Sequence, residues 1–245
     1  MTMQEQPPPD VEPPEEVPPQ GWHGLTHKKN FTAAMVITLV FMLVVVVLLS
    51  SPMILRSSKA AERTEAISNS KQVGLALLEF DQEYGRFPHE TTVAEVRRTT
   101  STGIDLSGSS SNAMFRQLIA YGIQSEDIFY CGHPEFRDKR PDNKIRGPQA
   151  LEPGEVRFSY VAGLDTSMNP SLPLLAAPMK LGTTSFHDKP FSDKGVILRA
   201  DLSAKALTIR AADGRLTIGG GQTLFDPKNG IWPAGHVIDL RHPEK

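Results

Sequence analysis

Residues 69–88 read NSKQVGLALLEFDQEYGRFP. Val73, Leu77, Phe80 and Tyr84 follow one another at intervals of four, three and four, which lays them along one stripe of an α-helix. Lys71 and Glu79, with Lys59, Glu62, Arg63 and Glu65 upstream, supply a wet side. Gly85 and then Pro88 close the element, because glycine accepts the left-handed conformation that ends helices and proline cannot continue one. A helix is therefore expected from about Ser58 to Tyr84, with its apolar stripe turned towards whatever the rest of the chain folds into.

Upstream of that helix the composition changes twice. Residues 31–55, FTAAMVITLVFMLVVVVLLSSPMIL, carry no charge. A hydrocarbon core about 30 Å thick needs roughly 20 apolar residues in helical conformation, and a Val-rich run this long exceeds any ordinary strand. It also exceeds the apolar stretch of a cleaved signal peptide. A retained single-pass transmembrane helix over 31–55 is the expectation, with Pro52 as the one kink before the helix continues. Residues 1–30 contain PPPDVEPPEEVPP, in which prolines remove backbone donors and Asp10, Glu12, Glu15 and Glu16 repel one another. Such a segment buries too little apolar surface to order itself, so a disordered, acidic, proline-rich tail is expected. No two of its prolines stand three apart, so it holds no PxxP ligand motif. Lys28 and Lys29 flank one end of the apolar run and Arg56, Lys59, Arg63 and Lys71 follow the other, so charge alone leaves the orientation open.

Downstream, residues 56–245 amount to one domain's worth of chain. TTSTGIDLSGSSS, ending at Ser111, reads as loop. Ser111 or Asn112 is positioned to cap a short helix through Tyr121, with Phe115, Leu118 and Ile119 inward and Gly122 as its stop. The charged segment from Phe136 to Pro153 reads as loop, Phe158–Val161 as a strand, and the stretch holding Pro170, Pro173 and Pro178 as irregular. Val196–Ala200, Ala206–Ala211 and Leu216–Ile218 read as strands, with Asp213-Gly214 as a hairpin turn between the last two. Asn229-Gly230 marks another turn and Val237–Leu240 a last strand. Helices come first and antiparallel strands after, without the alternation of a parallel sheet, so the expected class is α+β.

Balanced charge, with 26 Lys and Arg against 28 Asp and Glu, excludes a strongly basic nucleic-acid binder. A single cysteine excludes a disulfide scaffold and an all-cysteine zinc site. Cys131 and His133, with His187 and Asp188 later, offer fragments of a mixed metal site, as do His236, Asp239 and His242, but neither set has a recognised ligand spacing. Cys131 lies between Tyr130 and Gly132, where a buried thiol is the ordinary outcome. Gly214 and Gly219 have a phosphate-loop gap, yet Gly220 and Gly221 stand where Lys and Ser or Thr are required. They read as a turn. Glu79, Asp81 and Glu83 beside Arg86 read as a solvated helical face rather than a paired-carboxylate acid. No catalytic, cofactor-binding or metal-binding set is assigned, and no small-molecule substrate is evident.

The stretch 69–88 resembles the opening of the soluble domain in bacterial type IV pilin-like proteins, especially the G-type pseudopilins of type II secretion. The matching residues are Asn69, Lys71, Gln72, Gly74, Leu75, Ala76, Leu77, Tyr84, Gly85, Phe87 and Pro88. SNAMFRQLIAYGIQSEDIFYCGHP and GVILRADLSAKALTI are similar to segments of the same broad group. The resemblance implies one long N-terminal helix, transmembrane and then soluble, packed on a small antiparallel sheet. It implies a tail in the cytoplasm and a head outside the bacterial inner membrane. It implies a non-enzymatic subunit of a secretion or pilus-related assembly, whose partners are the bilayer and other pilin-like subunits. The chain departs from the group's processing site: Asn30 stands where glycine precedes Phe31-Thr32, and Met35 where the mature chain carries glutamate. An uncut N-terminus is therefore expected. Two alternatives stay open: a membrane-tethered regulator whose proline-rich tail recruits a cytoplasmic partner, and a tethered metal-dependent or cysteine-based enzyme using Cys131 and His133.

Overall fold

The computed structural model describes residues 26–136 and 139–245, with side chains described outside 26–32 and 47–56. The acidic proline segment up to residue 25 lies outside the described residues. Backbone contacts divide the chain into two units, 1–52 and 53–245. Helical backbone (α1) runs over Thr26–Tyr84 and contributes to both.

In the second unit, α1 buries Ala66, Val73, Ala76, Leu77 and Phe80. Three of the four residues of the expected stripe are thus fully covered. Tyr84 is half-buried: its ring packs 4.4 Å from that of Phe80, and its hydroxyl lies 2.7 Å from Thr99 Oγ1. Gly85 follows at φ 73° and its N–H donates to Asp81 O, which ends the helix as the sequence implied.

Two further helices lie against this core. One of them, α2 (Val93–Thr100), was not anticipated. It buries only Val96 and ends in Thr99-Thr100, so neither periodicity nor propensity announces it. α3 (Ser111–Tyr121) begins where expected, but its cap is Ser110, whose hydroxyl accepts the Ala113 N–H at 3.2 Å. Ser111 and Asn112 are themselves buried. Asn112 instead reaches across the core, donating to Leu151 O and Glu152 O and accepting from the Glu244 N–H. Phe115, Leu118 and Ile119 face inward as expected, and Gly122 at φ 148° ends the element.

The sheet is antiparallel and five-stranded. Its strands are β1 (Ser159–Ala162), β2 (Pro173–Ala177), β3 (Lys194–Arg199), β4 (Ala204–Thr208) and β7 (Asp239–Arg241), in the order β4-β3-β2-β1-β7. A separate two-stranded ribbon pairs β5 (Thr217–Gly219) with β6 (Gln222–Thr223). The α+β class holds. The segment read as irregular because of its prolines proves to contain β2, the central strand of the five, between β1 and β3 and buried along its whole length. Pro173 opens the strand and Pro178 follows it, positions where a missing N–H breaks no ladder bond.

The inner strands lack a clean alternation because both sheet faces are covered. Val196 and Leu198 join the large core with the helices, while Ile197 between them joins a smaller core of Ala176, Met179, Phe186, Ile209, Leu216 and Leu224. A strand apolar on both faces shows a continuous run rather than alternation. Gly74 explains how closely α1 approaches: a Cβ there would lie 2.9 Å from Leu198 Cδ2 and 3.2 Å from Leu202 Cδ2. The Asp213-Gly214 turn is present, with Gly214 at φ 71° and Ile209 bridging Leu216, although the ladder stops there and β5 turns to pair with β6.

Candidate functional site

Within the first unit, the described side chains run from residue 33 to 46. They form a helical surface that is apolar on every side. Successive residues advance 100° around a helix, and Met35, Val36, Ile37, Leu39, Val40, Phe41, Met42 and Leu43 are all exposed, Ile37 and Met42 at 69%. The one hydroxyl among them, Thr38 Oγ1, donates to Ala34 O at 2.9 Å. Leaving such side chains in water forgoes about 1.5–3 kcal/mol each relative to full burial. An apolar surface of this extent marks an interaction site. Among the described residues no helix is long and apolar enough to cross a membrane. The ends of the expected span, 31–32 and 47–55, lie outside the residues whose side chains are described.

In the second unit, the residues weighed for chemistry are placed as follows. Cys131 is buried with Sγ 3.8 Å from Arg157 O, and burial pushes its thiol far up, away from the thiolate a nucleophile requires. His133 is buried with both ring nitrogens engaged: Nε2 lies 2.7 Å from Met179 O, and Nδ1 accepts the Glu135 N–H at 3.2 Å. Burial lowers its pKa to about 4, so it stands neutral. His187 approaches within 5.3 Å ring to ring, but its Nε2 is committed to Glu135 Oε1 at 2.7 Å. Glu135 Oε2 in turn meets Lys245 Nζ at 2.9 Å. Partial burial works against the Glu135 anion, yet Lys245, His187 and the Leu181 N–H outweigh it and hold the carboxyl at about 2. Asp188 is exposed. These groups form a clasp that binds the C-terminal residue to the loops around 133 and 187, without an open ligand position at His133.

The second candidate set separates as well. His236 stacks on Trp232 at 5.5 Å, Asp239 pairs with Arg241, and His242 Nδ1 lies 3.0 Å from Ser159 Oγ. Gly219, Gly220 and Gly221 form the exposed turn of the β5–β6 ribbon, all at positive φ, as read from sequence. The helical acids divide: Glu79 and Glu83 are exposed, whereas Asp81 is buried and accepts from Thr166 Oγ1 at 2.5 Å. Asp81 therefore corrects the reading of that face as wholly solvated. Its i−1 neighbour in the apolar stripe, Phe80, carries it to the edge of the core.

Sequence reasoning missed the groups in which acidic residues converge. One is His89, Glu90 and Asp239. Arg241 answers its charge, 2.9 Å from Glu90 Oε1 and 2.5 Å from Asp239 Oδ1. The other is Glu126, Asp142 and Glu155, of which only Asp142 falls in the segment that read as a charged loop. No spacing rule could have found either, because their members meet only through the fold. Comparisons of the chain with protein-family models, with characterised proteins and with solved structures gave no match.

Proposed function

We propose that the chain is a non-enzymatic, single-pass membrane protein of pseudopilin-like type. Residues 31–55 anchor it, the acidic tail lies in the cytoplasm, and the head from 56 to 245 lies outside the bacterial inner membrane. One helix serves as transmembrane span and then as the spine of the head, packed on the antiparallel sheet. Its work is assembly through helix packing within a secretion or pilus-related envelope machine.

The observation that carries this reading is the helix over 33–46, exposed and apolar all round, inside a run of 25 residues without a charge (31–55). A helix apolar on every face has its place in a large core or in lipid. Lipid also removes any alternative for the backbone, whose groups must then bond within the helix. The α1 stripe packed against an antiparallel sheet adds support, because that is the head architecture the resemblance at 69–88 implies. Asn30 and Met35 support an uncut chain: asparagine is bulkier than the glycine a prepilin peptidase takes, and methionine lacks the carboxylate that would pair with a neighbouring subunit's amine in lipid.

Membrane fractionation tests the anchor. The full chain is expected to resist alkaline extraction, and a chain lacking residues 1–55 to be released; equal membrane retention of both would overturn the reading. A C-terminal reporter should be active outside the cytoplasm. Mass spectrometry should find the N-terminus upstream of residue 31, and a mature chain beginning at Phe31 with a methylated amine would instead establish ordinary pilin processing.

A further inference from the structure

Between α1 and two loops of the head lies a cavity of about 390 Å³. Ser58, Lys59 and Glu62 line it from the helix, Gly132 and Pro134 from one loop and Lys189 from the other. Its volume falls within the range of small-ligand sites, about 300–1,000 Å³. Two features hold its shape. Arg63 Nη1 donates to Phe191 O at 3.4 Å, which ties α1 to the loop that carries Lys189. Gly132 has no side chain, and a Cβ there would lie 2.9 Å from Glu62 Oε2, so the glycine leaves the carboxylate its place over the loop.

Three charged side chains share this cavity, Lys59 and Glu62 half-buried and Lys189 exposed. Among the described residues none of the three forms an ion pair or a side-chain hydrogen bond. Lys59 and Glu62 stand three apart on one helix, a spacing at which Glu95 and Arg98 do pair. Two cations and one anion held apart in one cavity offer donors for a phosphate and an acceptor for an ammonium. No Phe, Tyr or Trp lines the cavity among the described residues, so it lacks the aromatic cage that holds a quaternary ammonium. The chain sets its level. α1 is helical through 55–62, so at 1.5 Å per residue Ser58, Lys59 and Glu62 stand about 4.5, 6 and 10 Å beyond the end of the uncharged run. A bilayer's headgroup layer is about 5–8 Å deep on each side, half the difference between its full and hydrocarbon thicknesses.

We propose that this cavity holds the headgroup of one phosphatidylethanolamine molecule, with Lys59 and Lys189 on its phosphate and Glu62 on its ammonium; the assignment rests on the membrane reading above. A lysine ammonium brings three donors on a flexible stem to a phosphate. The primary ammonium of ethanolamine donates charge-assisted hydrogen bonds to a carboxylate in the same way. Phosphatidylcholine has no N–H to give Glu62. Phosphatidylglycerol brings a phosphate without a cation and leaves Glu62 facing a like charge. Only the ethanolamine headgroup answers all three side chains at once. Bound there, the lipid pins the base of the head to the membrane surface.

The test mixes the full-length chain, in a neutral detergent, with equal amounts of short-chain phosphatidylethanolamine, phosphatidylglycerol and phosphatidylcholine, and counts retained lipid by native mass spectrometry. One phosphatidylethanolamine per chain is expected. Lys59→Gln and Lys189→Gln should each weaken its retention about fivefold, the effect of one lysine at a phosphate surface. Glu62→Gln should bring phosphatidylglycerol level with phosphatidylethanolamine. Lys205→Gln, at an exposed lysine of β4, should change nothing. All four variants should keep the wild-type Tm, because none of these side chains has a partner to lose, and a loss of retention then cannot be loss of fold. Equal retention of the three lipids, a preference surviving in Glu62→Gln, or an equal loss in Lys205→Gln overturns the proposal. Glycerophosphoethanolamine, the same headgroup without acyl chains, should not displace the lipid at equal concentration; displacement would assign the cavity to a soluble ester instead. The site and the anchor fail separately. A chain that resists alkaline extraction but retains the three lipids alike loses this site and keeps its anchor. A chain released by alkali that still prefers phosphatidylethanolamine loses the anchor and, with it, the bilayer as the source.

Discussion

Two stretches of α1 obey opposite rules. Between 66 and 80 the buried residues recur along one face, and Lys71, Gln72, Leu75 and Glu79 stand in water on the other. Between 35 and 43 no face is distinguished: apolar side chains point everywhere and all of the large ones are exposed. The first pattern is that of a helix meeting a core on one side and water on the other. The second has no polar side to give to water at all. Helical conformation alone therefore says nothing of the medium; the distribution of polar groups around the axis does.

The largest test of this contrast is a pair of truncations. Phe80→Ala, at a fully buried ring in contact with Tyr84 and Tyr121, should destabilise the head by about 3–5 kcal/mol in denaturant unfolding. Phe41→Ala should leave the same transition within about 0.5 kcal/mol. A comparable effect at both positions would erase the distinction between the two stretches. Charge insertion reverses the sensitivity. Leu43→Arg should cost about 2.5–3.5 kcal/mol in a membrane-insertion assay, as expected for an arginine at the centre of a span. The head's own unfolding transition should not move.

Close approach to the sheet distinguishes the stretch over 66–80 further. Gly74→Val places a branched side chain where even a Cβ would sit 2.9 Å from Leu198, and should destabilise the head by about 1–3 kcal/mol. Leu198 and Leu202 side chains can yield, which keeps the expected loss below that of Phe80→Ala. Acid gives the smallest effect. His133 has its pKa lowered to about 4 by burial, so the folded head binds fewer protons than the unfolded chain below the ordinary histidine range. The stability it confers is present above about pH 6.5 and is lost as pH falls towards 4. Between pH 7 and 5.5 the wild type should lose about 1 kcal/mol relative to His133→Asn, a comparison in which the opposing response of Glu126 and Glu155, whose pKa values burial raises, cancels. The apolar stretch over 33–46 contains no titratable side chain, so its contribution to membrane retention should be indifferent to the same change.

What was legible in the sequence was whatever a short window could carry. The α1 stripe, the Gly85 stop, the α3 span with its Gly122 stop, the Asp213-Gly214 turn and the antiparallel character of the second half all follow from local spacing and turn chemistry. The failures share a cause. α2 offered one buried residue, Val96, as its entire tertiary signal. β2 lost its alternation because the sheet is covered on both faces, and its flanking prolines resembled breaks. Asp81 looked exposed because charge is the better guide on average, yet Thr166, 85 residues away, meets it at the edge of the core.

The sequence by itself determined where this chain is uniformly apolar, where it is amphipathic and where it must turn, because those depend on the identity and spacing of near neighbours. Only the tertiary structure decided which polar groups meet. Cys131 and His133, two positions apart in sequence, turn to different partners, Arg157 O and Met179 O. Glu126 and Glu155, 29 positions apart, come to share a buried site. Chain separation carries no information about such encounters. The hydrogen bond from the Glu126 N–H to Asn143 Oδ1 and the packing around Leu151 set them, and the interior's intolerance of unanswered charge gives them their chemical consequence.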